Sequence, residues 1–253
     1  MQLQTLRYER ADTPAGQVAT ITFDEQGSPV NTMCLQWQHD MAAVTQQVVN
    51  DRDAIKGLIL ASAKTTFFAG ADLKGVMRMT AADAPRVYAE IERIKACVRT
   101  LETLGIPVVS CINGSALGGG MEVALIGHHR IAVDDAKLQL GLPELTLGLI
   151  PGATGITKTV RLLGLMAAQP LLMEGKLFGP REALELGLVD GIGSTLDDLR
   201  EMALAWIAEH PQAQQPWDRK DYKMPGGTPA SPKIAMGLTV APAMLAAKSR
   251  GLY

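Results

Sequence analysis

The chain has 253 residues, 47% hydrophobic, 20% charged and 4% aromatic, with 24 Lys+Arg against 26 Asp+Glu for a net charge of −2. At this length roughly 70% of the unfolded surface is buried on folding, so the core needs no disulfide or metal staple, and the balanced charge argues against nucleic acid or an anionic membrane as main partner. Cys34, Cys97 and Cys111 lack metal-ligand spacing and fit reduced thiols of a cytoplasmic protein; residues 1–10 hold no apolar signal core, and no apolar run approaches the ~20 residues of a membrane span.

Residues 3–9 and 17–23 are β-prone and flank a turn with Pro14 and Gly16, which predicts a hairpin. A helix is expected over 34–49, with Asn31 and Thr32 as capping candidates. The run Leu58-Ile59-Leu60 within 55–63 has the length of a strand covered on both faces. Thr80 opens the clearest helix: Val87, Ile91, Ile94, Val98 and Leu101 form one stripe, and Arg86, Glu90, Arg93 and Lys95 are assigned to other faces. Gly105 stops that helix and Pro107 follows. A strand over 107–112 leads into the glycine-rich stretch 113–120 and a helix near 119–127. Next come a strand near 130–133, an apolar segment over 138–150, and helices near 154–164, 165–174, 180–186 and 196–209. Gly179-Pro180 and Gly187 bracket the third of these helices. Strands alternating with helices predict an α/β fold with a largely parallel sheet. The core is expected over 1–210. Residues 211–253 turn rich in Pro, Gly and Gln, as a linker or wrapped tail ending in a short amphipathic helix over 233–249.

The stretch 114–120 is not G-x-G-x-x-G and lacks the Lys-Ser/Thr of a phosphate loop. A strand–glycine turn–helix remains, in which Gly119 and Gly120 present bare N–H groups where negative charge develops; close packing alone is the plainer account. Glu122 lies in the first turn of the helix, where dipole pairing already explains a glutamate. Glu144 sits among apolar neighbours in Gly141-Leu-Pro-Glu-Leu-Thr-Leu-Gly-Leu-Ile150, where burial would raise its pKa. The two settings push in opposite directions, as for a base and an acid sharing a reaction. His128 and His129, adjacent in a strand, point to opposite faces and fit structural roles. Ser115 is not in a G-x-S-x-G elbow. Met77 and Met79 are candidates to line an adaptable apolar pocket.

Three ordered segments carry a family resemblance: Phe67-Phe-Ala-Gly-Ala-Asp-Leu73, Ile112-Asn-Gly-Ser-Ala-Leu-Gly-Gly-Gly-Met-Glu-Val123, and Gly141 through Gly152. Together they resemble the crotonase (enoyl-CoA hydratase/isomerase) superfamily over roughly residues 10 to 210. The resemblance implies a crotonase-like spiral of ββα units with a helical or irregular C-terminal tail. It also implies a coenzyme A thioester whose carbonyl lies between the N–H groups of Phe68 and Gly119. Glu122 would activate water for attack at C3, and Glu144 would protonate C2. Ala69, Gly70, Ala71 and Asp72 match the stretch that seats the coenzyme's adenine and pantetheine. No metal or further cofactor is implied, coenzyme A being part of the substrate.

The expected activity is hydration of 2-trans-enoyl-CoA to 3-hydroxyacyl-CoA in fatty-acid β-oxidation, with Δ3–Δ2 isomerisation as a side activity. Decarboxylation, thioester hydrolysis, or a non-catalytic acyl-CoA docking module are the alternatives. Within the family, the gap between the glutamates, Met77-Arg-Met-Thr80 and the 211–253 tail resemble the N-terminal part of the multifunctional fatty-acid oxidation α subunit. The dehydrogenase domain that follows in those proteins has no Rossmann fingerprint in this sequence, so NAD chemistry is assigned outside these residues. A homo-oligomer or a subunit of a β-oxidation complex is expected, with no nucleic-acid or integral-membrane partner. Thr154, and Ile156-Thr-Lys158, depart from the family's usual residues and bear on the shape of the acyl pocket.

Overall fold

The computed structural model describes residues 3–248. The chain opens on an antiparallel hairpin, β1 (Leu6–Thr13) and β2 (Gly16–Phe23), in which Leu6 pairs with Phe23 and Thr13 with Gly16. β1 runs past its expected end at residue 9. It is the edge strand, and its outer residues Glu9 to Asp12 are exposed, so hydropathy does not mark them. Helix α1 (Leu35–Asp51) follows. Its cap is Cys34, whose Sγ accepts from Trp37 N–H at 3.4 Å, in place of the expected Asn31 or Thr32. Asn31 is instead buried, with Nδ2 donating to Ser62 Oγ (2.9 Å) and Phe67 O (3.1 Å). It ties together the loops beneath the site.

Strand β3 (Gly57–Ser62) leads through the short helix α2 (Leu73–Val76) to α3 (Ala84–Glu102). A capping box precedes α3: Thr80 N–H and Oγ1 both bond Asp83 Oδ2, at 2.9 and 3.0 Å. Then come β4 (Val108–Ile112), β5 (Ala116–Leu117), α4 (Gly119–Ala124), β6 (His129–Val133) and β7 (Leu140–Gly141). The expected apolar segment 138–150 divides into β7 and a 3₁₀ turn, Pro143–Leu147, that carries Glu144. Helices α5 (Gly155–Leu163), α6 (Leu165–Glu174) and α7 (Pro180–Leu186), strand β8 (Gly191–Gly193), and helices α8 (Leu196–Glu209) and α9 (Pro232–Lys248) complete the described chain.

The main sheet has the order β1-β2-β3-β4-β6-β8, parallel from β2 onward. A second layer stacks one short segment from each turn of the chain: Phe68 bridges Ala116, β5 pairs with β7, and Leu140 bridges Phe178. This is the spiral of strand–strand–helix units that the resemblance implies. Alternation along the central strands sends Leu58, Leu60, Val108 and Ile112 into the larger core with α1 and α3. Ile59, Val109, Cys111 and Ile131 face the other way, under Leu199, Ala203 and Ile207 of α8.

The segment after α8 wraps the core. Gln215, fully buried, donates to Ile126 O and Gly127 O at 3.1 and 3.2 Å, and Asp218 takes a two-bond contact from Arg99 at 2.7 Å. Tyr222 Oη donates to Arg161 O at 2.6 Å, and α9 buries Ile234. Among the described residues, no helix is long and apolar enough to cross a membrane.

Candidate active site

A cavity of about 470 Å³ opens between the start of α1, α2, α3, the N-terminus of α4 and the loop from Glu144 to Ala153. The glycine turn brings two chain segments almost into contact at its inner end. A β-carbon on Gly120 would lie 2.1 Å from Phe68 O, so only glycine lets α4 start against the 67–70 segment. Gly118 N–H donates to Gly141 O at 2.9 Å, which joins the same turn to the segment leading to Glu144.

Glu122 and Glu144, 22 residues apart in sequence, both line this cavity. Glu122 is buried in the first turn of α4, and its Oε1 accepts three N–H bonds from the start of α5: Ala153 (2.9 Å), Thr154 (2.8 Å) and Gly155 (2.7 Å). All three fall on one oxygen, which orients the carboxylate and leaves Oε2 for the cavity. Glu144 is held differently. Burial pushes its carboxyl up to about 7, against the pull of its own backbone N–H, and the charge of Glu122 adds to the rise. Its Oε2 is buried without a hydrogen-bond partner among the described residues. One carboxylate thus carries three donors, while the other stays protonated to near-neutral pH.

Gly119 lines the cavity, and its N–H opens α4, where a helix leaves its first amides without internal partners. Phe68 requires a correction. Its N–H donates to Ser115 O at 3.2 Å, and its ring is fully buried, edge-on to Phe23 and Trp37. That amide is therefore not free to grip an oxyanion. The cavity-facing residue of the same segment is Ala71, and among the described residues no backbone carbonyl accepts from the Ala71 or Gly119 N–H. Asp72 also lines the cavity. Ala69 is exposed, with its N–H on Asn31 O (2.9 Å), and Gly70 is buried, its carbonyl accepting from Met33 N–H (2.9 Å). Met79 is at the cavity wall; Met77 is 86% exposed.

Three further side chains escape sequence reasoning. Glu90, assigned from its charge to an outer face of α3, is 9% exposed and lines the cavity. It stands three residues after Val87 and four before Ile94, so helical spacing already puts it on that stripe. Lys158 of α5 is buried in an ion pair with Glu102 and donates to Leu125 O at 3.1 Å, which braces α5 against the helix bearing Glu122. Gln38, on the first turn of α1, lines the cavity too. The two adjacent histidines are structural, as expected. His128 accepts from Val108 N–H at 3.0 Å, with burial holding its imidazole down at about 4, and His129 stacks on Trp206. Among the described residues, no group of three or more His, Cys, Asp and Glu is placed to hold a metal ion.

Residues 13–217 match a family described as enoyl-CoA hydratase/isomerase. The fatty acid oxidation complex subunit alpha of Shewanella amazonensis is 38% identical over 222 residues, which cover 86% of this chain and 30% of that protein. The Shewanella baltica counterpart is 39% identical over 74% of this chain and 27% of its own length. The chain therefore spans under a third of these curated relatives. An enoyl-CoA hydratase structure from Bacillus anthracis superposes with a TM-score of 0.70 at 32% identity, covering 82% of this chain and 76% of that one. Pseudomonas aeruginosa DspI, 24% identical, shares the fold over 98% of this chain and 88% of its own, with a TM-score of 0.70.

Proposed function

The chain belongs to the enoyl-CoA hydratase/isomerase family, and from that premise we propose that it hydrates 2-trans-enoyl-CoA thioesters to 3-hydroxyacyl-CoA. The observation that carries this reading is the unequal pair of carboxyl groups on one cavity. Glu122, oriented through Oε1 by three amides, takes a proton from water as its oxygen attacks C3. Glu144, kept protonated by burial, delivers a proton to C2. The thioester oxygen gains negative charge between these events, and the N–H groups of Ala71 and Gly119 are its donors; one such donor is worth about 10²–10³ in rate. Coenzyme A enters as part of the substrate, past Ala71 and Asp72.

The reaction is placed in fatty-acid β-oxidation because the curated relatives carry that name. By the same likeness, the chain acts in the cytoplasm as a subunit of an oxidation complex or as a homo-oligomer. A side activity, Δ3–Δ2 isomerisation, would use ionised Glu144, which becomes available as pH rises through about 7, to take a proton from C2 and return it at C4. The test is loss of enoyl-thioester absorbance with crotonyl-CoA. Glu122→Gln and Glu144→Gln are each expected to lower turnover by about 10²–10⁴. Turnover intact in either variant overturns the assignment of base and acid.

A further inference from the structure

The α1–α3 side of the cavity is not uniformly apolar. Val87, Ile91 and Ile94 line it, and so does Glu90 on the same helical face. Glu90 Oε1 accepts from Arg86 Nη1 at 2.9 Å, and Arg86 Nη2 reaches Asp83 Oδ1 at 2.9 Å. α1 lies alongside α3. Arg52 Nε donates to Leu104 O at 2.7 Å across 52 residues, and Thr45 meets the Cys97 thiol at the same separation, so the two helices run parallel and in step. That offset sets Gln38 level with Glu90. Gln38 lines the cavity, and its Oε1 is buried with no hydrogen-bond partner among the described residues. Ile91 Cδ1 is 3.9 Å from where a β-carbon on Gly152 would lie, just before the segment that holds Glu122. Ile91, next to Glu90 on α3, therefore meets the loop that leads to the Glu122 clasp, and the wall carrying Glu90 and Gln38 is one that an acyl tail extending from the double bond can run along.

Building on the hydratase reading above, we propose that Gln38, Glu90 and Arg86 select 2-enoyl thioesters whose acyl tail carries a hydroxyl group over plain tails of equal length. A methylene tail would seal the unpaired amide oxygen away from water and strip water from the ion pair, both unfavourable. A hydroxyl donates to Gln38 Oε1 and accepts from the Arg86 guanidinium. It serves equally if the amide is turned over, since it can donate and accept. A neutral tail is favoured over a carboxylate. Asp83 and Glu90 outnumber Arg86, and Asp72 and Glu122 outnumber Arg78 on the rest of the lining, so even with Glu144 neutral a second anion meets like charge.

The experiment compares kcat/KM for 2-octenoyl-CoA, its 6-hydroxy and 8-hydroxy derivatives, and the carboxyl-tailed analogue. At least one hydroxy derivative is expected to exceed 2-octenoyl-CoA roughly tenfold, the scale of one net hydrogen bond. Gln38→Leu and Gln38→Met are each expected to bring that ratio to about one. Equal or poorer turnover of both hydroxy derivatives, a preference for the carboxyl tail, or an unchanged ratio in both variants overturns the proposal. Competition binding of octanoyl-CoA against its hydroxylated counterparts reads the same ratio without turnover. A protein that fails to hydrate even crotonyl-CoA yet keeps the binding preference therefore overturns the hydratase reading and leaves this one standing.

Discussion

Gly155 donates its N–H to Glu122 Oε1 at 2.7 Å, and a β-carbon on Gly155 would sit 3.0 Å from both Cγ and Oε1 of that glutamate. The start of α5 thus does two things for the base. It supplies three amides, and it leaves room for the carboxylate to reach them.

Gly155→Ala therefore pushes Glu122 by a few tenths of an ångström and loosens all three bonds. The expected result is a fall in kcat of roughly 10-fold to 10²-fold on crotonyl-CoA, since small displacements at a reacting group are costly. Circular dichroism should still report a folded protein. Unchanged kcat would mean that the clasp does not set the base.

The raised carboxyl of Glu144 gives a pH dependence with a definite sign. Hydration needs its proton, so the rate is expected to fall about tenfold per pH unit above about 7. For stability, the folded state holds the Glu144 proton more tightly than the unfolded chain does. Stability from this group is full below pH 4.5 and declines until about pH 7. Glu144→Gln should remove that decline, stabilising the protein at pH 8 by about 1–2 kcal/mol once solvent screening of a partly exposed group is allowed for. Urea titrations at pH 5 and pH 8 check this.

The corrected amide pair is tested without changing any side chain. Replacing the Ala71 amide by an ester, through the corresponding α-hydroxy acid, removes one N–H and is expected to cost about 10²–10³ in kcat. The same exchange at Phe68 breaks its bond to Ser115 O and should cost about 1 kcal/mol of stability with little loss of rate. The opposite pattern in the two esters would restore Phe68 to the oxyanion role.

Lys158→Met strips the inner partner from Glu102, whose side chain is only 2% exposed and keeps Arg99 alone, at 3.3 Å from Oε2. A loss of about 2–3 kcal/mol is expected in urea unfolding, less than for a wholly uncompensated charge because Arg99 remains, and adding Glu102→Leu should recover most of it. A single variant as stable as the native protein would show that the pair braces nothing.

Much of the site is legible in the chain because its chemistry is local. Glu122 follows a glycine turn, Glu144 sits in apolar sequence, and the helix stripe from Val87 to Leu101 has clear periodicity. Glu90 shows where that reading slips. Its charge suggests water, but its spacing matches the buried stripe, and Arg86 makes its burial tolerable. The 3₁₀ turn at Pro143–Leu147 and the strands of two or three residues at β5, β7 and β8 carry too few residues for a period to emerge.

The chain by itself determined the alternation of strands and helices, the glycine turn and the two acids, since propensity, capping and spacing act over a few residues. Only the tertiary structure decided which amides stay free and which side chains share the cavity. Phe68 and Ala71 are three residues apart with the same kind of N–H. Ser115, 47 positions beyond Phe68, claims one of them through a second-layer pairing that no short stretch encodes. The same holds for the clasp on Glu122, whose donors arrive from a helix more than 30 residues downstream.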